Sequence, residues 1–308
     1  MKGIFSLLRP LQWIKNLFVF LPMFFSGQLF NTNVWLASIL SFVTFCIASS
    51  GVYCLNDAMD AKTDAMHPVK RNRPIPKGEV SRTTAFILAG FLLTLSVVIL
   101  VFSPLSPSYS DSLLPVNEEY IMRYLAGIGV LVAYILFNIG YSLGLKHIPI
   151  LDTMIVAIGF VLRVALGGLE SGIPLSPWIV GMVFLLALFL VFAKRRDDLV
   201  IARNGGGNVR KSTMGYNLQF LNQVLGILVA IIMVGYMMYC LSPLSHPSHN
   251  SPYLYLTSIF VLGALLRYLQ IALVKEDSGS PTRAILRDPF LLTCIALWGF
   301  SYLFILYL

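Results

Sequence analysis

Charge is what this chain has least of. Only 12% of its 308 residues are Asp, Glu, Lys or Arg, about half the share of a soluble globular domain. That shortage excludes a disordered chain and argues against most soluble enzymes. Cysteine is scarce as well. Cys46, Cys54, Cys240 and Cys294 are scattered through apolar stretches and make no metal spacing. They read as small core residues, and a disulfide scaffold is excluded. No Gly-X-Y period exists, which excludes a collagen-like fibre. No long alternation of polar and apolar residues exists either, which argues against a β-barrel. The four histidines form no serine–histidine–acid arrangement. His246 and His249 lie in a proline-rich loop where no metal site is expected. Residues 205–207 are three glycines without the lysine or preceding strand of a phosphate loop, and read as a flexible connection.

What remains is apolar. Hydrophobic residues make up 57% of the chain and mean hydropathy is +0.79. A helix needs about 20 mostly apolar residues to cross the hydrocarbon of a bilayer. Nine such stretches are present, near residues 14–30, 36–56, 84–103, 122–142, 149–168, 176–193, 217–241, 253–272 and 289–307. Prolines cluster at their ends, where the missing N–H costs least. The first stretch has no small-residue cleavage site, so it does not read as a signal peptide. The expected fold is all-α: a polytopic membrane protein of nine helices, with residues 1–308 as one domain.

The few charges are unevenly placed. Twenty of the 22 basic residues fall in the N-terminal segment and in alternate connections, near residues 57–83, 146, 194–216 and 267–287. The other connections, 104–121, 169–175 and 242–252, contain no Lys or Arg. The positive-inside rule then predicts a cytoplasmic N-terminus and an outer C-terminus. The formal net charge of +8 is thereby concentrated on the cytoplasmic face.

Ionisable groups near membrane depth are costly and are functional candidates. At the end of the second span stand Asn56, Asp57, Asp60 and Asp64. If the helix continues through them, they share nearly one face. Carboxylates that close repel unless something positive sits between them. The bland reading is a solvated helix end. The basic run that follows, with Lys70, Arg71 and Arg73, favours another: acids for a hard cation such as Mg²⁺ beside bases for phosphate. A second cluster holds Tyr141, Lys146 and Asp152, expected to face the first across a cavity open to the cytoplasm. The run Lys194, Arg195, Arg196, Asp197, Asp198 closes the sixth span. It reads as a topogenic stop, with Lys194 able to meet a lipid phosphate. Arg9, Trp13 and Lys15 mark the entry to the first span. Trp13 reads as an interfacial anchor, and Arg9 and Lys15 as anchors or lipid-headgroup holders. Arg163 lies inside the fifth span, placed to snorkel outward or pair with Glu170.

These residues resemble a known family. The pattern N-D-x-x-D-x-x-x-D at residues 56–64, with nine spans, resembles the UbiA superfamily of intramembrane prenyltransferases. The start R-P-x-Q-W-x-K-N at residues 9–16, H-P-x-K-R-x-R-P-I at 67–75, Y-S-x-x-L-K at 141–146, G-F-x-L-R at 159–163, Pro281-Thr282 and Arg287-Asp288 resemble its decaprenyl-phosphate phosphoribosyltransferase branch. The resemblance covers essentially the whole chain. It implies a UbiA-like helix bundle. It also implies transfer of 5-phosphoribose from phosphoribosyl diphosphate (PRPP) to a polyprenyl phosphate, releasing diphosphate and feeding lipid-linked pentose into cell-wall polysaccharide. It assigns Mg²⁺ and the donor diphosphate to Asn56, Asp57, Asp60 and Asp64. The expected setting is the plasma membrane with the site facing the cytoplasm. No nucleic-acid partner is expected, and a homo-oligomer is an open option. One alternative keeps the family and moves a prenyl group from a prenyl diphosphate to an aromatic or polar acceptor. Another is a transporter, disfavoured because the polar groups gather on one membrane face.

Overall fold

A computed structural model describes residues 2–66, 70–103, 118–203, 215–242, 253–275 and 281–307. Residues 67–69 of the basic run, residues 205–207, His246 and His249 lie outside the described residues. Among the described residues all regular structure is helical. Nine segments of the described residues are long and apolar enough to cross a membrane: Gly3–Phe25, Thr32–Ala65, Arg82–Val101, Tyr120–Leu143, Leu151–Ser171, Pro177–Arg203, Leu218–Leu241, Leu254–Lys275 and Pro289–Leu306. The chain is a multi-pass membrane protein, as its hydropathy required.

The first two spans depart from expectation, and the sixth runs ten residues beyond its expected end, to Arg203. The first begins about ten residues early and is not one α-helix. Helix α1 (Lys2–Leu8) stops at Arg9, whose backbone is left-handed, with φ 52° and ψ 58°. The next residue is Pro10, which disfavours helical geometry in its predecessor. The chain resumes as an 11-residue 3₁₀ segment, Pro10–Phe20, and then α2 (Leu21–Phe25). The second span, α3 (Thr32–Ala65), is a continuous helix of 34 residues. Asn31 caps its start by accepting from the Asn33 N–H. It runs straight through the acidic motif, which fulfils the condition for one polar face.

The chain divides into two compact units. The first comprises Met1–Lys146 and Gly159–Leu175, the second His147–Ile158 and Ser176–Leu308. Helix α6 (Leu151–Ser171) contributes to both.

In the first unit, α3 packs on α4 (Arg82–Val101), whose start is capped by Ser81. Lipid tails are as apolar as leucine, so burial alone does not drive such pairing; close contact and polar bonds do. The contacting residues are accordingly small. Cys54, Ala58 and Ala61 of α3 meet Ala85 and Ala89 of α4, and Gly51 lets Leu92 and Leu93 approach. A second cluster joins Val19 of the 3₁₀ segment, Phe45 and Val52 of α3, Leu131 and Tyr134 of α5 (Glu118–Leu143), and Leu166 of α6. There Gly167 is essential in shape: a Cβ on it would sit 2.0 Å from the Val19 carbonyl oxygen.

In the second unit, α7 (Pro177–Arg203) and α8 (Leu218–Leu241) pack with α9 (Ser258–Gln270), α10 (Pro281–Arg287) and α11 (Pro289–Tyr307) around Phe189, Leu221, Leu225, Tyr268 and Leu291. A π-helical turn, Ile271–Lys275, continues α9. Arg196 of α7 is buried; it donates to Asn222 at 2.8 Å and to the Ala272 carbonyl in that turn at 2.6 Å. Asp288 caps α11 by accepting from the Leu291 N–H, and also receives Arg267 at 2.8 Å and Lys275 at 3.7 Å. The Arg267 hydrogen bonds hold its carboxyl well below the usual range, at about 2.

Candidate active site

Helix α3 places three carboxylates where they are doubly unfavourable. They repel one another, and Asp64 stands in the last turn, at the negative end of the helix dipole. Asp57 and Asp64 are almost completely buried, while Asp60 is 27% exposed. The first unit answers with its own cations. A single atom, Arg73 Nη1, lies 3.0 Å from Asp57 Oδ1 and 2.5 Å from Asp64 Oδ2. Arg9 Nη2 lies 2.5 Å from the same Asp57 oxygen, and Lys70 Nζ 3.8 Å from Asp64. Lys146 Nζ meets Asp60 at 2.5 Å. Four basic residues therefore face three acids, from the N-terminal break, the loop after α3, and the short 3₁₀ turn after α5.

Local structure fixes these cations. The left-handed backbone at Arg9 swings its guanidinium over the Tyr53 ring, 5.1 Å from the centroid, and onto Asp57. The break is pinned from behind. Ser50 donates to the Leu8 carbonyl, and the Trp13 indole N–H donates to Ser50. Trp13, expected as an interfacial anchor, is thus bound within the protein. Arg73 follows a 3₁₀ turn, Lys70–Asn72, and its neighbours Pro74 and Ile75 are buried. Arg82 at the start of α4 donates to the Ala58 carbonyl and ties α4 to the acidic stretch.

One oxygen stands out. Asp57 Oδ1 accepts from two arginines, whereas Asp57 Oδ2 is buried with no hydrogen-bond partner. An unsatisfied buried carboxylate oxygen is costly, and a hard divalent cation would satisfy it. Arg73 Nη1, held between two carboxylates, already marks one position where positive charge is stable. Among the described residues no group of three or more His, Cys, Asp or Glu converges on one point. The donor set suits such a cation in kind, with its oxygens turned toward arginine and lysine.

The sequence grouping of Tyr141, Lys146 and Asp152 divides. Lys146 joins Asp60. Tyr141 is half-buried on α5, and its neighbour Ser142 lies 3.5 Å from Asn56 Oδ1. Asp152, fully buried, belongs to the second unit. There it accepts from Arg195 at 2.8 Å and from the Tyr216 hydroxyl at 3.3 Å. Arg195 also reaches Asp198, at 3.2 Å. The Tyr216 oxygen accepts from the Ile150 N–H, and Ile150 has φ 69°. Burial pushes the Tyr216 phenol up from its usual range. Arg195 and Arg196, read as part of a stop signal, are buried because α7 continues to Arg203. Arg71 and Lys194 are exposed and Lys15 is half-buried.

Arg163 does neither of the things expected of it. It is buried, and its three guanidinium nitrogens donate to Asn16 Oδ1 at 2.8 Å, the Gly159 carbonyl at 2.6 Å and the Tyr134 hydroxyl at 3.1 Å. Its carbon lies 4.9–5.4 Å from the ring centroids of Phe45, Tyr134 and Phe160. Glu170 lies in the field of Arg123 instead, and its Oε2 has no hydrogen-bond partner. The physical reason is that three aromatic faces and neutral oxygens already solvate the guanidinium. Asn16, which the sequence offered only as the last residue of R-P-x-Q-W-x-K-N, ties the 3₁₀ segment to α3, through Ser49, and to α6.

Comparison with known proteins agrees with this architecture. The model of the UbiA prenyltransferase family matches residues 16–295. A decaprenyl-phosphate phosphoribosyltransferase from Mycolicibacterium smegmatis is 31% identical, over 96% of this chain and 90% of its own length. One from Corynebacterium glutamicum is 28% identical, over 99% of this chain and 87% of its own length. Among solved structures, a UbiA homolog from Archaeoglobus fulgidus bound to GPP and Mg²⁺ superposes with a TM-score of 0.67 at 18% identity, covering 98% of this chain and 99% of its own. The helical architecture, the acidic motif on α3 and the family match together show that the chain belongs to the UbiA prenyltransferase family.

Proposed function

We propose that this transferase moves 5-phosphoribose from PRPP to a polyprenyl phosphate of decaprenyl type and releases diphosphate. The observation that carries the reading is the buried acidic end of α3 enclosed by Arg9, Lys70, Arg73 and Lys146. Relatives named for this activity match nearly the whole chain. The C1–oxygen bond to diphosphate breaks, and a bond from C1 to a lipid-phosphate oxygen forms. Positive charge develops on the ribose and negative charge on the leaving group. The nucleophile is ionised at neutral pH, so no side chain has to take a proton from it.

Asn56, Asp57, Asp60 and Asp64 would hold Mg²⁺, which when bound supplies Lewis-acid neutralisation of the leaving diphosphate. Lys70, Arg71 and Arg73 are assigned to the diphosphate through charge-assisted hydrogen bonds. Tyr141 and Lys146 are assigned to the 5-phosphate of the ribose. Arg9 and Lys15 are assigned to the lipid phosphate. The carboxylate of Asp152 is engaged inside the second unit, and its role there is to position Arg195. The donor is soluble, so the acidic end of α3 is assigned to the cytoplasmic face of the plasma membrane. The product would serve as a lipid-linked pentose for cell-wall polysaccharide.

The test offers PRPP labelled in the ribose, with polyprenyl phosphate, to purified protein in detergent. Label is expected in the lipid fraction, and a chelator of divalent cations is expected to stop its entry. If no label enters the lipid, while a labelled prenyl diphosphate transfers to an aromatic acid, the reading is wrong and prenyl transfer takes its place.

A further inference from the structure

The geometry points to Arg73 as an internal counter-ion that holds the carboxylates of α3 until the diphosphate-bearing donor draws it away, so that divalent cation and donor load together. This rests on the reading of the acidic motif given above. Arg73 Nη1 is within 3.0 Å of one oxygen from Asp57 and one from Asp64. A single point of positive charge therefore bridges two buried carboxylates that stand two helical turns apart. With Arg9, Lys70 and Lys146 on the same three acids, the cluster carries one net positive charge.

That balance decides the order of events. A bare divalent cation meets a cluster that is already positive, and must displace a guanidinium from buried oxygens to reach them. A polyanion meets the opposite situation. It attracts Arg73 and offers bidentate oxygen acceptors of the kind guanidinium prefers. Once Arg73 turns to phosphate, Asp64 Oδ2 joins the unpartnered Asp57 Oδ2 as a free acceptor, and Asp57 Oδ1 keeps only Arg9. Only side-chain torsions are needed. The backbone at Arg73 is held by its N–H to the Lys70 carbonyl, and the next residues are anchored in the α3–α4 core through Ile75. Metal and diphosphate binding are thus coupled, and each must strengthen the other by the same factor.

Two binding measurements on detergent-purified protein test this without turnover. The first titrates Mn²⁺ alone and follows the free-ion EPR signal. The second measures retention of radiolabelled diphosphate in saturating Mg²⁺. In the wild type, Mn²⁺ alone is expected to bind weakly and Mg–diphosphate tightly. R73Q is expected to bind Mn²⁺ alone about tenfold more tightly and Mg–diphosphate about tenfold more weakly, within the usual range of coupling. R73K keeps the charge but not the fork and should fall between in both assays; it serves if R73Q does not fold. Opposite signs in the two assays support the proposal, because mere destabilisation weakens both. If R73Q and R73K bind Mn²⁺ no more tightly than the wild type, while wild-type protein retains Mg–diphosphate, the counter-ion role is overturned and the proposed activity stands. If the wild type retains neither ligand, both fall.

Discussion

At the residue scale, the three acids of α3 are not equivalent. Asp57 is almost fully buried and receives two arginines, whereas Asp60 is partly exposed and receives one lysine. Removing charge from Asp57 leaves two guanidiniums without their shared anionic partner, a loss of about 2–3 kcal/mol. Asp57→Asn is therefore expected to lower stability and activity together. Asp60→Asn should leave the unfolding midpoint in detergent nearly unchanged and cut turnover by about 10²-fold or more. Full activity in Asp60→Asn would remove that carboxylate from the chemistry. The sequence spacing supplied the shared face of these acids. It could not supply their partners, because Arg9 and Lys146 are 48 and 86 residues away from the acids they meet.

At the element scale, the broken first span does what a straight helix could not. Its 3₁₀ segment lies against α6 at Gly167, so close that any side chain there must move backbone. Gly167→Ala is expected to destabilise by about 1–3 kcal/mol. Gly129→Ala, on α5 with open space around it, should be neutral or mildly stabilising. Unfolding midpoints in detergent compare the two. The start of α11 gives a pH prediction. Asp288 sits near pKa 2 in the folded protein against about 3.9 unfolded. Its contribution is fully present above about pH 4 and is lost as pH falls toward 2. Asp288→Asn should remove that part of the acid sensitivity, seen as a smaller drop in thermal midpoint between pH 5 and pH 3.

At the scale of the whole molecule, the composition that announced a membrane protein also makes its topology testable. All four cysteines are buried and unpaired, so an introduced thiol has little background. Lys77, in the loop between α3 and α4, and Tyr253, before α9, are exposed. In intact cells a membrane-impermeant maleimide is expected to label Tyr253→Cys and not Lys77→Cys. Inverted membrane vesicles should reverse the result. The opposite pattern would turn the assigned orientation over and place the acidic end of α3 outside.

The nine spans and the run of acids were determined by sequence alone, because hydrocarbon thickness fixes span length and helical periodicity fixes which residues share a face. Tertiary structure decided what the charges touch. Arg163, alone in an apolar stretch, became a core residue because Asn16 and the rings of Phe45, Tyr134 and Phe160 surround it. Arg195, read from the sequence as part of a charged stop, is buried against Asp152. A buried charge is set by its partners, and partners far apart in the chain meet only when the fold brings them together.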